Sequence, residues 1–317
     1  MKWKNFRLFS FTLFLIYGKL ACDACPVEYV MSDDIRSIGP HLRMMMPHLT
    51  SRERQVLQHL LNTGPAIRDL TIGEIAEKTQ VSEAMVVKLS KKLGYSGYRD
   101  LKEMLYQYSL LPVTEMYQEI DLDDSPEVIV TKVFKTSIQA LEETLAILDM
   151  DHFKRAVDII LRARQRDFYG VGGSATIAKD ACHKFLRIGL RSSAYDDSHL
   201  MVMSASLLTA DDMVLAISHS GQTSAILEAT RLAKSNGATV IALTNYSRSA
   251  LAREADVVLC STARGSPLTG ENAAARIAQL NIIDALFVCV AQRDYLHAEQ
   301  NLEKTMSSVQ QKRESER

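Results

Sequence analysis

Residues 215–224 read LAISHSGQTS, and the fold is decided there. Val214, Leu215, Ala216 and Ile217 form a short apolar run suited to a buried strand. The run breaks into small hydroxyl residues and a glycine: Ser218, Ser220, Gly221, Thr223 and Ser224. Ile226, Leu227, Ala229, Leu232 and Ala233 then recur at helical spacing. Strand, hydroxyl-rich turn and helix, in that order, present backbone N–H groups and short donors to an anion at a helix N-terminus. A turn rich in serine can equally be only a turn, so the flanking sequence has to decide.

On both sides the same alternation continues. Residues 166–171 read as a strand, Gly172-Gly173-Ser174 as a turn, and 175–188 as a helix. Residues 191–195 then make a strand, 198–208 a helix, 213–217 a strand and 224–236 a helix. Residues 239–243 and 257–260 are the last strands, with a short helix at 249–254 between them and a long one at 273–292 after them. Apolar strands alternating with helices predict a parallel sheet covered on both faces, with its ligand outside the carboxyl ends of the strands. The turns at 170–174 and 218–223 both fall at that edge. The first lacks the third glycine of a dinucleotide fingerprint, so no cofactor is expected.

The front of the chain is helical. Thr50 with Glu53, and Thr71 with Glu74, are spaced as capping boxes, and Ser82 is placed to cap a third helix that stops at Gly94. Two short helices across the tight turn Gln80-Val81, after a support helix, match the helix-turn-helix arrangement. Ser82, Glu83, Ala84, Val87, Lys88, Lys91 and Lys92 are the candidate reading positions, with Tyr98 and Arg99 as backbone contacts beyond them. From 50 to 102 there are nine Lys or Arg against six Asp or Glu, a local excess of three. A solvated basic face on a plain bundle would look the same by charge alone.

The chain of 317 residues is long enough for two cores, is 47% hydrophobic and has a formal net charge of −1. Overall charge therefore does not point to nucleic acid. Five cysteines at irregular spacing suggest no disulfide framework, and Cys22-x-x-Cys25 lacks a second ligand pair for a metal. Lys2, Lys4 and Arg7 before an apolar stretch resemble a signal peptide. The polar segment from Met31 onward reads as a soluble N-terminus, so residues 1–30 are expected to be an over-extended start and the protein cytoplasmic, with no membrane partner. The expected organisation is 1–30 extension, 31–110 helix-turn-helix, 111–126 acidic linker, 127–305 sheet domain and 306–317 polar tail. The helix at 127–148, with Val130, Val133, Phe134, Ser137, Leu141 and Leu145 along one side, is either a dimer element or packed on its own domain.

GVGGS at 170–174, SHSGQTS at 218–224 and RIAQL at 276–280 resemble a sugar isomerase (SIS) domain. With VSEAMVVKLSKKLGYSGYRDLK at 81–102, QRDFYGVGGS at 165–174, HKFLRIGLRSSAY at 183–195 and MVMSASLL at 201–208, the stretch 31–305 resembles the RpiR family of bacterial regulators. The resemblance implies an α/β protein: an all-helical helix-turn-helix domain followed by a doubly wound parallel-sheet SIS domain. It further implies operator DNA as a partner, a sugar-phosphate effector of the ribose 5-phosphate or allose 6-phosphate class, repression of ribose or allose genes, and a homodimer or homotetramer. Carried onto this chain, the effector contacts are Gly172, Ser174, Ser218, Ser220, Gln222 and Thr223. His219 either bonds a sugar oxygen or simply packs. Family isomerases place a glutamate about eight residues before an aspartate of the last long helix; counted from Asp284 this is Arg276. A guanidinium cannot abstract a proton at neutral pH. Glu271 leaves isomerase activity as the alternative, and a module that regulates a partner enzyme is the third reading. His183 and His199 have no partner spacing for a metal and read as structural.

Overall fold

The computed structural model describes residues 34–112, 114, 120–263 and 273–315. Residues 1–30 with Cys22 and Cys25, and Glu271, lie outside the described residues.

The head is built from α1 (Ile38–Met45), α2 (Ser51–Asn62), α3 (Ile72–Thr79), α4 (Glu83–Lys92) and α5 (Tyr98–Ser109). Both capping boxes form. The Glu53 carboxylate accepts from Thr50 N–H at 2.8 Å while Thr50 Oγ1 accepts from Glu53 N–H at 3.3 Å. Thr71 and Glu74 repeat the exchange at 2.7 and 3.3 Å. Each such cap is worth about 0.5–2 kcal/mol. Gln80 ends α3 in the left-handed region, φ 54°, and its N–H donates back to the Ala76 and Glu77 carbonyls, turning the chain into α4. Val56, Leu57, Leu60, Ile75, Leu89 and Leu101 fill the core between these helices. The helix α1 was not anticipated in the polar segment after Met31. Pro40 falls in its first turn, where a missing N–H costs no helical bond.

Five strands, β1 (Arg166–Gly170), β2 (Ser192–Tyr195), β3 (Met213–Ile217), β4 (Thr239–Thr244) and β5 (Val257–Cys260), make a sheet in the order β2-β1-β3-β4-β5. Every pairing is parallel. Alternate residues serve opposite faces. Phe168, Leu215, Ile241 and Leu259 face one side with α7 (Met150–Arg162), α8 (Gly173–Arg187) and α12 (Ala273–Arg293). Tyr169, Val214, Ala216 and Ala242 face the other with α9 (Ser198–Ala205), α10 (Ser224–Ser235) and α11 (Ala250–Glu254). The chain leaves β1 toward β2, then crosses back to β3 and runs on to β5, so the loops after β1 and β3 diverge and open a crevice between them. By length and composition α12 could span a membrane, but its buried face, Ala278, Ile282, Ile283, Leu286 and Val290, packs in the protein core. A last helix, α13 (Tyr295–Ser315), runs through residues that the sequence suggests are a polar tail.

The long helix α6 (Pro126–Ile147) packs the other way round from its hydropathy. Val130, Val133, Phe134 and Leu145 are exposed, whereas Lys132, Gln139, Glu143 and Thr144 are buried. Each of these side chains makes at least one polar contact. Lys132 Nζ meets Asp124 at 2.6 Å, and Thr144 Oγ1 accepts from Thr262 N–H at 3.0 Å. Glu143 accepts from Gln139 Nε2 at 2.9 Å, from the Tyr108 hydroxyl of α5 at 2.5 Å, and from the Arg43 guanidinium of α1. Burial works against the Arg43 charge, but Glu143 and Tyr108 hold its pKa above the ordinary value.

Candidate functional site

The turn after β3 is braced from within. The Ser218 and Thr223 hydroxyls lie 3.0 Å apart, and Ser218 Oγ accepts from Gly221 N–H at 3.1 Å. Gly221 has φ +61°, and a Cβ there would fall on the Ser249 side chain, so both conformation and space require glycine. After β1 the chain is as tight: a Cβ on Gly170 would stand 2.7 Å from the Ser174 carbonyl carbon. The helices that follow these two turns, α8 and α10, have no side-chain cap at Gly172 or Thr223. In the same domain α7, α9 and α11 are closed by Asp149, Asp197 and Ser249. Two uncapped helix N-termini at one crevice favour an anion there.

Between the turns lies a cleft of about 260 Å³, lined by Val171, Gly173, Ser174, Ser218, His219, Ser220, Thr223, Arg276 and Gln279. Of the expected contacts, Ser174, Ser218, His219, Ser220 and Thr223 therefore share one wall-to-wall site. Gly172 and Gln222 do not line it. Gly172 is exposed at the α8 start with φ +59°, and Gln222 is exposed with its N–H turned to Ser220 Oγ at 3.2 Å. His219 is half-buried, edge-on to Tyr246 with centroids 5.9 Å apart, and its carbonyl accepts from Asn245 N–H at 3.1 Å. Behind it, Asn245 Oδ1 accepts from Ser261 Oγ at 2.5 Å and from Gln279 Nε2 at 3.2 Å.

Arg276 and Gln279 were missed as contacts. They stand three residues apart near the start of α12, hence on one helix face, and polar residues at that spacing among the small and apolar residues of its first turns are the signal that marks them. The Arg276 side chain passes over Gly173, where a Cβ would lie 3.4 Å from its Cδ. Among the described lining residues there are a guanidinium, an imidazole, an amide and four hydroxyls, and no carboxylate. Such a set is chemically suited to an anionic, hydroxylated ligand, and no described group in it is a carboxylate base. Among the described residues no His, Cys, Asp and Glu group is arranged for a metal.

On the head, Ser82, Glu83, Ala84, Lys88, Lys91 and Arg99 are exposed along and beyond α4, and Val87 is half-buried. Ser82 Oγ caps α4 through Met85 N–H at 3.3 Å. Lys92 is engaged with Glu53 at 2.8 Å, the same carboxylate that caps α2. Its hydrogen bond is the largest influence holding Glu53 below the usual carboxylate range. Tyr98 does not reach outward, contrary to expectation. It is buried, its hydroxyl donates to the Leu70 carbonyl at 2.8 Å, and burial pushes its pKa up to about 12. The aromatic ring closes the head core beneath the Lys102 ammonium, 5.8 Å from its centroid.

A helix-turn-helix head joined to a doubly wound sheet with a hydroxyl-lined cleft at its switch point has the architecture of a DNA-binding transcriptional regulator. The helix-turn-helix domain of the rpiR family matches residues 37–109, and the SIS domain matches residues 159–289. The chain is 44% identical to the HTH-type transcriptional regulator RpiR of Escherichia coli over 272 residues, 86% of this chain and 92% of that protein. It is 31% identical to the HTH-type transcriptional regulator HexR of Pseudomonas aeruginosa over 87% of this chain and 96% of that one. The Vibrio vulnificus NanR protein complexed with ManNAc-6P superposes with a TM-score of 0.55 at 26% identity, covering 86% of this chain and 97% of that one. The protein belongs to the RpiR family of helix-turn-helix transcriptional regulators with a SIS domain.

Proposed function

We propose that this regulator represses genes for ribose or allose use, and that its SIS cleft senses the matching sugar phosphate, ribose 5-phosphate or allose 6-phosphate. The observation that carries the reading is the cleft itself. Ser174, Ser218, Ser220 and Thr223 converge there between two uncapped helix N-termini, with the Arg276 side chain beside Gly173. Phosphate suits the helix ends and hydroxyls, and the sugar suits His219, Gln279 and Arg276. The NanR relative holds a phosphorylated sugar, which supports the same ligand class here. Arg276 at the position of the isomerase base supports a binding role without turnover. Lys88 and Lys91 contact operator phosphates, and Glu83, Ala84 and Val87 face the base edges. The exposed apolar ridge of α6, with Phe134 68% and Leu145 68% exposed, supports a homodimer or homotetramer. A bacterial regulator of this kind works in the cytoplasm.

The test follows full-chain protein on the DNA upstream of its own gene by fluorescence anisotropy, with ribose 5-phosphate and allose 6-phosphate titrated in. Tight, salt-sensitive binding released by one of them is expected. Lys88→Glu with Lys91→Glu weakens DNA binding and shallows its salt dependence by about one unit per lost phosphate contact. Unchanged DNA binding in that variant overturns the reading helix, and release by neither sugar phosphate overturns the effector.

A further inference from the structure

We infer that the buried cluster of Arg43, Tyr108, Gln139 and Glu143 couples the SIS cleft to the helical head, with Glu143 as its positioning residue. The roles of the two ligands rest on the function proposed above; the mechanical link rests on the geometry alone.

Glu143 has a fully buried side chain that accepts from three elements: Arg43 on α1, Tyr108 on α5 at 2.5 Å, and Gln139 on α6 itself at 2.9 Å. Two of these donors belong to the head. A carboxylate held this way resists gradual displacement. Parting the pair leaves a charge in a dry site, so the contact is either made or broken. Apolar side chains of similar volume would serve stability at least as well at this place, so stability alone does not account for the cluster.

The next residue carries the link onward. Thr144 Oγ1 accepts from Thr262 N–H at 3.0 Å and donates to the Thr262 carbonyl at 3.3 Å, fastening α6 to the chain that leaves β5. Ser261, one residue back, donates to Asn245 Oδ1, which Gln279 also reaches. Asn245 in turn holds the His219 carbonyl. Gln279 and His219 line the cleft. Gln139, Glu143, Thr144, Asn245, Ser261, Thr262 and Gln279 are each at least nine-tenths buried, in packing that transmits displacement rather than absorbing it. A ligand that moves Gln279 or His219 must strain the Asn245–Ser261 joint, and through Thr262 and Thr144 it turns α6 beneath Arg43. Proximity alone would be only an association, so the test has to show discrete coupling.

The full chain is compared with Arg43→Met/Glu143→Leu, which removes both charges and keeps an apolar contact, and with Thr144→Val, which cuts the link at its middle. Amide hydrogen exchange is read first, without ligand or DNA. We expect each variant to change exchange by about 5-fold or more at both ends, in α1 and around 245, 261 and 279. Changes confined to α1, α5 and α6 overturn the inference. The second readout is the factor by which ribose 5-phosphate or allose 6-phosphate alters DNA affinity. That factor should fall to near one in Arg43→Met/Glu143→Leu while the variant still binds DNA and sugar phosphate separately. A factor equal to the parent's overturns the inference. A parent protein that responds to neither sugar phosphate defeats the proposed effector instead, and the exchange result then decides the coupling by itself.

Discussion

The helices α6 and α12, of 22 and 21 residues, pack against each other and solve opposite problems. The second buries an aliphatic stripe and stabilises by removing apolar area from water. The first turns its valines, Phe134 and Leu145 outward and buries Lys132, Gln139, Glu143 and Thr144, of which Lys132, Glu143 and Thr144 take partners from outside the helix. Hydropathy locates both helices but does not say which face of α6 turns inward. The largest effect should come from breaking the polar side of this comparison. Arg43→Ala leaves Glu143 charged and without its counter-ion, which costs about 3–5 kcal/mol. Urea unfolding of the full chain measures it, and a loss near zero would mean that the carboxylate is hydrated. On the apolar side, Leu286→Ala should cost about 2–5 kcal/mol, set by how far the cavity collapses. Unlike Arg43→Ala, it should do so without altering the contact of head and sheet domain by hydrogen exchange.

A smaller effect is expected at the cleft. Ser218→Ala with Thr223→Val removes the pair of hydroxyls that brace the turn and line the cleft. Sugar-phosphate affinity should fall by about 1.5–3 kcal/mol per charge-assisted bond lost, with DNA affinity unchanged in the absence of effector. Calorimetric titration of the sugar phosphate and anisotropy on the DNA separate the two. Equal loss of both would show that the turn supports the fold rather than the ligand.

What the sequence reveals and what it conceals follow the same division. The strand at 213–217 is legible from its apolar run although its backbone partners lie in β1 and β4. The capping boxes at Thr50 and Thr71 are local, because the partners that satisfy the backbone lie within four residues, and the SHSGQTS turn is braced largely from within by Ser218 and Thr223. The cleft's own turns are legible for that reason. Arg276 and Gln279 arrive from a helix some fifty residues away, and only the fold brings them across Gly173 and Asn245. Tyr98 reads as a surface aromatic beside Arg99, yet its acceptor is the Leu70 carbonyl, 28 positions earlier. Glu143 is the extreme case: nothing within the sequence of α6 announces a donor on α1, 100 positions away.

Acid should act on the head through α1 and the turn Met46–His48 that follows it. Burial holds His41 below its ordinary pKa of 6.5, and burial followed by Arg248, Arg253 and Lys92 does the same for His48. The unfolded chain binds protons at 6.5 that the folded head resists, so stability falls as pH drops below that value and stops falling once both folded groups are charged. Unfolding midpoints should therefore be lower at pH 5.5 than at pH 7.5, and His41→Asn should reduce the difference. A flat profile across this window would mean that α1 opens enough to charge His41 at little cost.

The smallest change in folding stability is expected on the outward face of α6. Phe134 is 68% exposed within the described chain, so Phe134→Ser should alter the stability of the single chain by no more than about 0.5 kcal/mol. If a second copy covers the ridge, the same substitution acts on assembly instead. Sedimentation should then show dissociation at concentrations where the parent stays associated, and the parent's unfolding temperature, but not the variant's, should rise with concentration. A stability loss above about 2 kcal/mol in dilute, monomeric protein would place Phe134 in the chain's own core, so that α6, like α12, would bury its apolar side chains within the chain. The comparison between the two helices therefore turns on this one side chain, because Arg43 tests only which groups α6 buries, whereas Phe134 tests why it can leave the rest outside.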